Sequence, residues 1–152
     1  MKEKALEMRP IAHVYSNYQT VSEIPKGLGA QHSAEGIIEV LPPFQKGLKD
    51  IEGFSHLFVL WLFHKASGFH LTAKPPSDNK VHGVFATRSP QRPNPIGLTV
   101  VELIRKEGRL LHIRGVDMIN GTPVLDIKPY LSGIPADRLR RGWLEEAEKK
   151  RK

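Results

Sequence analysis

Three segments carry side chains that core packing alone does not require. The first, GVFATRSPQRPNPIG (83–97), runs from a strand-like stretch into a loop with Pro90, Pro93 and Pro95, then Gly97 and a new strand. Proline fixes φ and removes a donor, so this loop has few accessible shapes and loses little entropy when it binds something. Arg88 and Arg92 can fork onto a carboxylate or phosphate, and Asn94 can donate and accept. A rigid surface connection with solvated arginines fits the same residues. The second segment, GVDMINGTPVLDIKPY (115–130), centres on Asn120-Gly121, a turn signal that favours positive φ. Amides of such a turn could face a ligand, and Asp117 could accept from ribose hydroxyls or an amino group. The plainer alternative is a tight hairpin with Asp126 and Lys128 paired on its surface. In the third, FSHLFVLWLFH (54–64), His56 and His64 stand eight residues apart and share a face if the strand is unbroken. A strand-end histidine is commonly a hydrogen-bonded structural residue. His64 has the better claim to chemistry because it borders the loop that follows.

Several chemistries are disfavoured. There are seven histidines, yet no HExxH and no close His/Asp cluster, and there is no cysteine for a thiolate site or disulfide. Walker-type, GxGxxG and Gly-x-Ser-x-Gly signatures are missing from the sequence, which argues against ordinary nucleotide hydrolysis and α/β-hydrolase chemistry. Lys and Arg number 23 against 16 Asp and Glu, a net charge of +7 and a pI near 9.8. That balance favours a polyanion, most simply nucleic acid, although it also serves solubility. No run approaches the ~20 apolar residues of a membrane span, and the charged start MKEKALEMRP lacks a signal-peptide core. A soluble, cytoplasmic protein is expected.

The elements that must position these segments read mostly as strands. Residues 11–16, 35–40, 55–63, 83–87, 98–104, 110–116 and 124–127 are short, β-branched or aromatic, and bounded by turn formers. Residues 105–109 read as a hairpin loop with Gly108 at positive φ. A short helix is expected over 45–51, closed by Gly53, and another from Asp137 into the basic end of the chain. Residues 69–80, with two adjacent prolines, read as a long exposed loop. At 152 residues the chain has room for one ordinary domain, and its pattern is that of an all-β barrel or sandwich.

Taken together, the three segments resemble the TrmO (TsaA-like) methyltransferase family, with similarity from about residue 9 to residue 131. The resemblance implies a single-sheeted antiparallel β-barrel, here of about seven strands with a short C-terminal helix. It implies S-adenosylmethionine as cofactor, tRNA as partner, a homodimer and no metal. The implied activity is methylation of N6 in threonylcarbamoyladenosine (t6A) beside the anticodon. The barrel would occupy residues 1–135, followed by a basic helical tail over 136–152. By position, the cofactor pocket would involve His64, Lys65, Arg88, Leu98, Asp117, Met118, Ile119, Asn120, Gly121 and Thr122. Arg92, Asn94 and Lys128 would contact the substrate.

Two departures stand out. Where the family has a Pro-Arg-Gln element, this sequence has Pro25-Lys26-Gly27, and lysine replaces the charge of arginine but not its bidentate fork. Longer bacterial members carry a C-terminal domain, so tRNA would here be held by Arg138, Arg140, Arg141 and Lys149 to Lys152.

The reactive methyl group belongs to the cofactor, which leaves the protein to position and desolvate. The accepting nitrogen of t6A is conjugated with a carbonyl and a purine, so removing its proton helps; Asp126, His64 and Tyr130 are the candidate bases. Arg88 or Arg92 would pair with a carboxylate of the threonyl group or of the cofactor. Two rival readings remain: an RNA-binding barrel without catalysis, and a methyltransferase with another acceptor. The first usually displays stacking aromatics, and here they form only 7% of residues.

Overall fold

A computed structural model describes residues 3–26 and 32–151. Its strands are β1 (Ala12–Tyr15), β2 (Glu35–Val40), β3 (His56–Leu62), β4 (Thr72–Ala73), β5 (His82–Gly83), β6 (Ile96–Glu107), β7 (Leu110–Arg114) and β8 (Pro123–Pro129). Six of them close a barrel in the order β1-β2-β7-β6-β3-β8, with every neighbouring pair antiparallel. Closure leaves no free edge in this sheet. The remaining two, β4 and β5, pair as a separate hairpin.

Period-two alternation decides what lies inside. Along β3, Leu57, Val59 and Trp61 are buried while the residues between them are not. Ala12, Val14, Ile38, Val40, Val101, Leu111, Ile113 and Val124 complete the filling of the barrel. Gly97 faces Trp61 across the β3–β6 ladder, and a Cβ there would collide with the indole ring. The glycine that ends the proline-rich segment is therefore a packing requirement. On the outer wall, Leu98 and Val100 of β6 stay exposed beside the half-buried Phe58 and Leu60 of β3.

β6 reaches from β3 to β7 because its ladder slips between Leu103 and Arg105, a bulge that bends so long a strand. A second slip sets Leu60 and Trp61 opposite Asp126 and Val124.

Some expectations are corrected. The barrel has six strands, not about seven, because residues 83–87 form the end of β5 and then a 3-10 turn, Val84–Ala86. Val84 is buried while Phe85 and Ala86 are exposed, so the segment lacks strand alternation. The 45–51 helix is a 3-10 helix, Pro42–Leu48, followed by a second short one, Ile51–Gly53. The pair of prolines at its first turn supplies no N–H donors and suits a tight start. The loop expected over 105–109 is shorter, because β6 continues to Glu107; Gly108 does take φ 60°. Near the C-terminus, Asp137 belongs to a 3-10 turn and the helix α1 spans Trp143–Arg151. His64 lies beyond the end of β3, so it does not continue the His56 face. No helix among the described residues is long and apolar enough to cross a membrane.

A candidate site at one end of the barrel

Antiparallel closure brings three long connections to one end: that between β1 and β2, described over 16–26 and 32–34, 63–95 between β3 and β6, and 115–122 between β7 and β8. The latter two hold the motifs that sequence singled out. They are stitched to their neighbours by main-chain bonds. Phe63 N–H donates to Pro95 O (2.8 Å), Gly115 and Val116 N–H donate to Ala34 O, and Gly121 N–H donates to Val14 O (2.7 Å).

Asp117 places a carboxylate at this end. It is half-buried, and Thr99 Oγ1 donates to its Oδ1 at 2.7 Å while itself accepting from Trp61 Nε1 at 3.0 Å. Trp61 and Thr99 are core positions on adjacent strands, so the barrel interior fixes this chain of bonds. Burial pushes the Asp117 carboxyl above the usual aspartate value. The Thr99 hydroxyl and the charges of His32 and Arg88 act in the opposite direction. His32 Nδ1 is shut off from solvent without a hydrogen-bond partner among the described residues. Sequence reading missed His32, Thr99 and Trp61: the first belongs to no motif, and the other two look like ordinary strand residues.

Within 117–122, the side chains of Met118, Ile119 and Thr122 are buried in the protein interior. Any contact they make with a ligand is through the main chain. Asn120 Oδ1 accepts from Ser16 N–H at 3.1 Å, and Ser16 Oγ donates to Met118 O at 2.7 Å, locking the segment against the end of β1. Of the expected turn pair, Gly121 has the positive φ, 86°.

The proline-rich loop is built differently. Arg92 Nη1 donates to Thr87 O (2.9 Å) and Ser89 O (3.0 Å), so this arginine clasps its own loop. Thr87 Oγ1 donates to Val84 O and accepts from Ser89 N–H. Arg88 and Asn94 are exposed. His64 and Lys65 follow β3 at the same end, in a turn where His64 N–H donates to Leu62 O. Leu98, two residues into β6, points outward.

Of the other sequence candidates, His56 and Tyr130 lie at the far end of the barrel. Asp126 sits mid-strand opposite Leu60, with Oδ2 at 2.9 Å from Lys128 Nζ. Tyr130 follows β8 at the far end, edge-on to Phe58 and His56. His56 Nδ1 is 2.8 Å from Ser55 Oγ, a structural arrangement. In the divergent N-terminal element, Pro25 and Lys26 are exposed, and Gly27 lies outside the described residues. No group of three or more metal-ligating side chains occurs among the described residues. A cleft of about 380 Å³ lies on the outer wall, lined by Tyr15, Glu35, Ile37, Arg105 and His112. Its charges are paired with neighbours (Arg105 with Glu107, Glu35 with Arg114), and none of the three motifs lines it.

A closed antiparallel barrel with its long connections gathered at one mouth is a recognisable class. Residues 13–136 match the family model of the tRNA-methyltransferase O N-terminal domain, and the chain belongs to that family. A probable S-adenosyl-L-methionine-binding protein of Pyrococcus abyssi is 45% identical over 139 residues, 91% of this chain and 76% of the relative. The tRNA (adenine(37)-N6)-methyltransferase of Escherichia coli is 37% identical over 84% of this chain and 58% of its own length. Among solved structures, TrmO from Pseudomonas aeruginosa superposes with a TM-score of 0.76 at 35% identity, covering 95% of this chain. The chain spans 63% of that crystallised protein.

Proposed function

We propose that this protein transfers a methyl group from S-adenosylmethionine to N6 of an adenosine in tRNA, the acceptor being t6A beside the anticodon. The observation that carries this reading is a half-buried carboxylate, Asp117, held through Thr99 to the core indole of Trp61 at the barrel mouth that the Arg88 loop also borders. The cofactor carries an amino group, a carboxylate and a positively charged sulfur. Asp117 suits the cationic groups, and Arg88 suits a carboxylate on the cofactor or on the threonyl group. Main-chain groups of 117–122 and the side chain of Leu98 supply a wall, and His64 and Lys65 border it.

When bound, the cofactor supplies an activated methyl group, so the residues here orient and exclude water. We assign removal of the N6 proton to His64, because Asp126 is paired with Lys128 and Tyr130 stands at the far end. His64→Gln is expected to lower kcat on tRNA; an unchanged kcat removes His64 from that role.

The tail that meets this connection at Ala86 is also basic. Arg138 and Arg140 are exposed, whereas Arg141 pairs with Glu148 and Lys149 stands 3.9 Å from Glu146. We therefore assign tRNA contact to Arg138, Arg140, Asn94 and Lys65 ahead of the paired residues, with Arg92 shaping the loop that carries Asn94. Lys128 and the exposed Val100 flank Phe58 on the outer wall, and we place a homodimer interface there. Sedimentation of the parent as a dimer and of Val100→Asp as a monomer is expected; a monomeric parent rules this out. Function in the cytoplasm follows from the proposed substrate.

The test is calorimetric titration with S-adenosylhomocysteine, the demethylated product, on the parent and on Arg88→Ala, followed by assay on t6A-containing tRNA. Micromolar binding that falls about tenfold in the variant is expected. A folded parent that binds nothing at millimolar ligand would sink the methyltransferase reading and leave an RNA-binding barrel. Activity on tRNA lacking t6A would change the acceptor.

A further inference from the structure

We propose that Trp143, on the C-terminal helix, is a positioning residue that holds the Arg88 loop in its working shape. The proposal rests on the reading above, in which Arg88 contacts cofactor or substrate.

After β8 the chain leaves the barrel beside His56, where Tyr130 N–H donates to His56 O. It then crosses a largely exposed stretch and returns to the 63–95 connection. There Trp143 Nε1 donates to Ala86 O at 2.7 Å, two residues before Arg88. The same indole stacks on the His82 ring, with centroids 4.6 Å apart and planes 15° from parallel. His82 Nε2 lies 2.7 Å from Asp78 Oδ2, a largely buried contact. One row of side chains, Asp78–His82–Trp143, thus spans the connection on both sides of Val84 and ends on the carbonyl of Ala86.

Two observations say that this row serves the loop and not the barrel. No residue of the tail contributes to the barrel core. Val84 and Ala147 are 1% and 4% exposed, yet both fall outside that core, so the 84–86 turn and the helix bury apolar surface away from it. The helix is nine residues long and too short to persist by itself in water. Its start is held by Arg141 N–H donating to Glu145 Oε1, and by the Arg141–Glu148 pair. These contacts set Trp143 at the first helical position, aimed at the loop.

The loop needs such a tie. Its own bonds, from Arg92 to the Thr87 and Ser89 carbonyls and from Thr87 to Val84, fix its internal shape but not its placement. Phe63–Pro95 anchors its C-terminal side to the barrel. The Trp143 bond, together with Val84 N–H donating to Leu71 O, anchors the other side. Arg88 lies between the two anchors.

The test uses the full chain with Trp143→Phe, which keeps a ring but loses the donor, and His82→Ala as a second variant. Readouts are affinity for S-adenosylhomocysteine, kcat and KM on tRNA, thermal unfolding, and hydrogen exchange of the 87–91 amides. Trp143→Phe should weaken binding or raise KM about three- to tenfold, leave the unfolding midpoint nearly unchanged and speed exchange at 87–91. Combined with Arg88→Ala, it should add little, because the two act through one contact. Unchanged affinity and KM, or losses that add fully to those of Arg88→Ala, would overturn the proposal. If the parent itself binds no S-adenosylhomocysteine, the cofactor reading fails and the role of Trp143 at the site fails with it. Faster exchange in the variant would then mark a purely structural latch.

Discussion

The two motifs that meet at the barrel mouth are held in opposite ways. Residues 115–122 are anchored from within: Val116, Met118 and Thr122 are fully buried, and Asp117 emerges from a hydrogen-bond chain that starts at Trp61 in the core. Residues 84–95 are anchored from without, by Arg92 donating to the Thr87 and Ser89 carbonyls and by an indole from the tail. The inner segment offers a fixed carboxylate and main-chain groups. The outer one offers an arginine whose position depends on a few polar contacts. A rigid half and an adjustable half suit a site that binds a small cofactor and must also admit a large RNA.

Three substitutions probe that contrast, in order of expected size. Met118→Ala removes a fully buried side chain from the inner segment and should cost about 2–5 kcal/mol in chemical denaturation. A cost comparable to that of a surface change would mean the segment is not locked by the core.

Asp117→Asn separates stability from function. Burial raises the carboxyl's pKa in the folded protein, so its contribution to stability is present below the ordinary aspartate range and lost as pH rises through the raised value. The variant should therefore unfold at a higher temperature than the parent at neutral pH, with the difference vanishing in acid. It should also bind S-adenosylhomocysteine about tenfold more weakly. A variant that loses stability at neutral pH would show that the carboxylate is better satisfied than its burial implies.

Arg92→Ala, in the outer segment, should leave unfolding nearly unchanged and raise KM for tRNA about two- to fivefold by loosening the loop. An unchanged KM would remove the arginine from the proposed function.

Much of the fold was legible because period-two burial is a local property. β1, β2, β3, β7 and β8 fall where the alternation and turn formers put them, within a residue or a few. The strand expected at 83–87 failed because its apolar residues do not share a face: Val84 is buried by a turn and Phe85 by nothing. The tail helix begins at Trp143, not Asp137, because the tie to Ala86 and the Arg141–Glu145 contact set its start. No propensity for 137–142 registers a partner more than fifty residues away.

The site divides along the same line. Asp117, Arg88 and the Asn120-Gly121 turn stand out in sequence because polar, glycine and proline residues interrupt apolar strands. The part played by Asn120, whose exposed side chain accepts from Ser16 N–H, could not be read there. Nor could the placing of Tyr130 at the end of the barrel away from His64, which depends on strand direction around the closed barrel.

By itself the sequence determined an all-β chain, its strand faces, its positive charge and the motifs that place it in a family. Those follow from side-chain type and near-neighbour spacing. Tertiary structure alone decided that six strands close, that three long connections share a mouth, and that Thr99, Trp61 and His32 stand around Asp117. It alone brought Trp143 to the carbonyl two residues before Arg88. Contacts between residues far apart in the chain exist only once the barrel has fixed the directions of its strands.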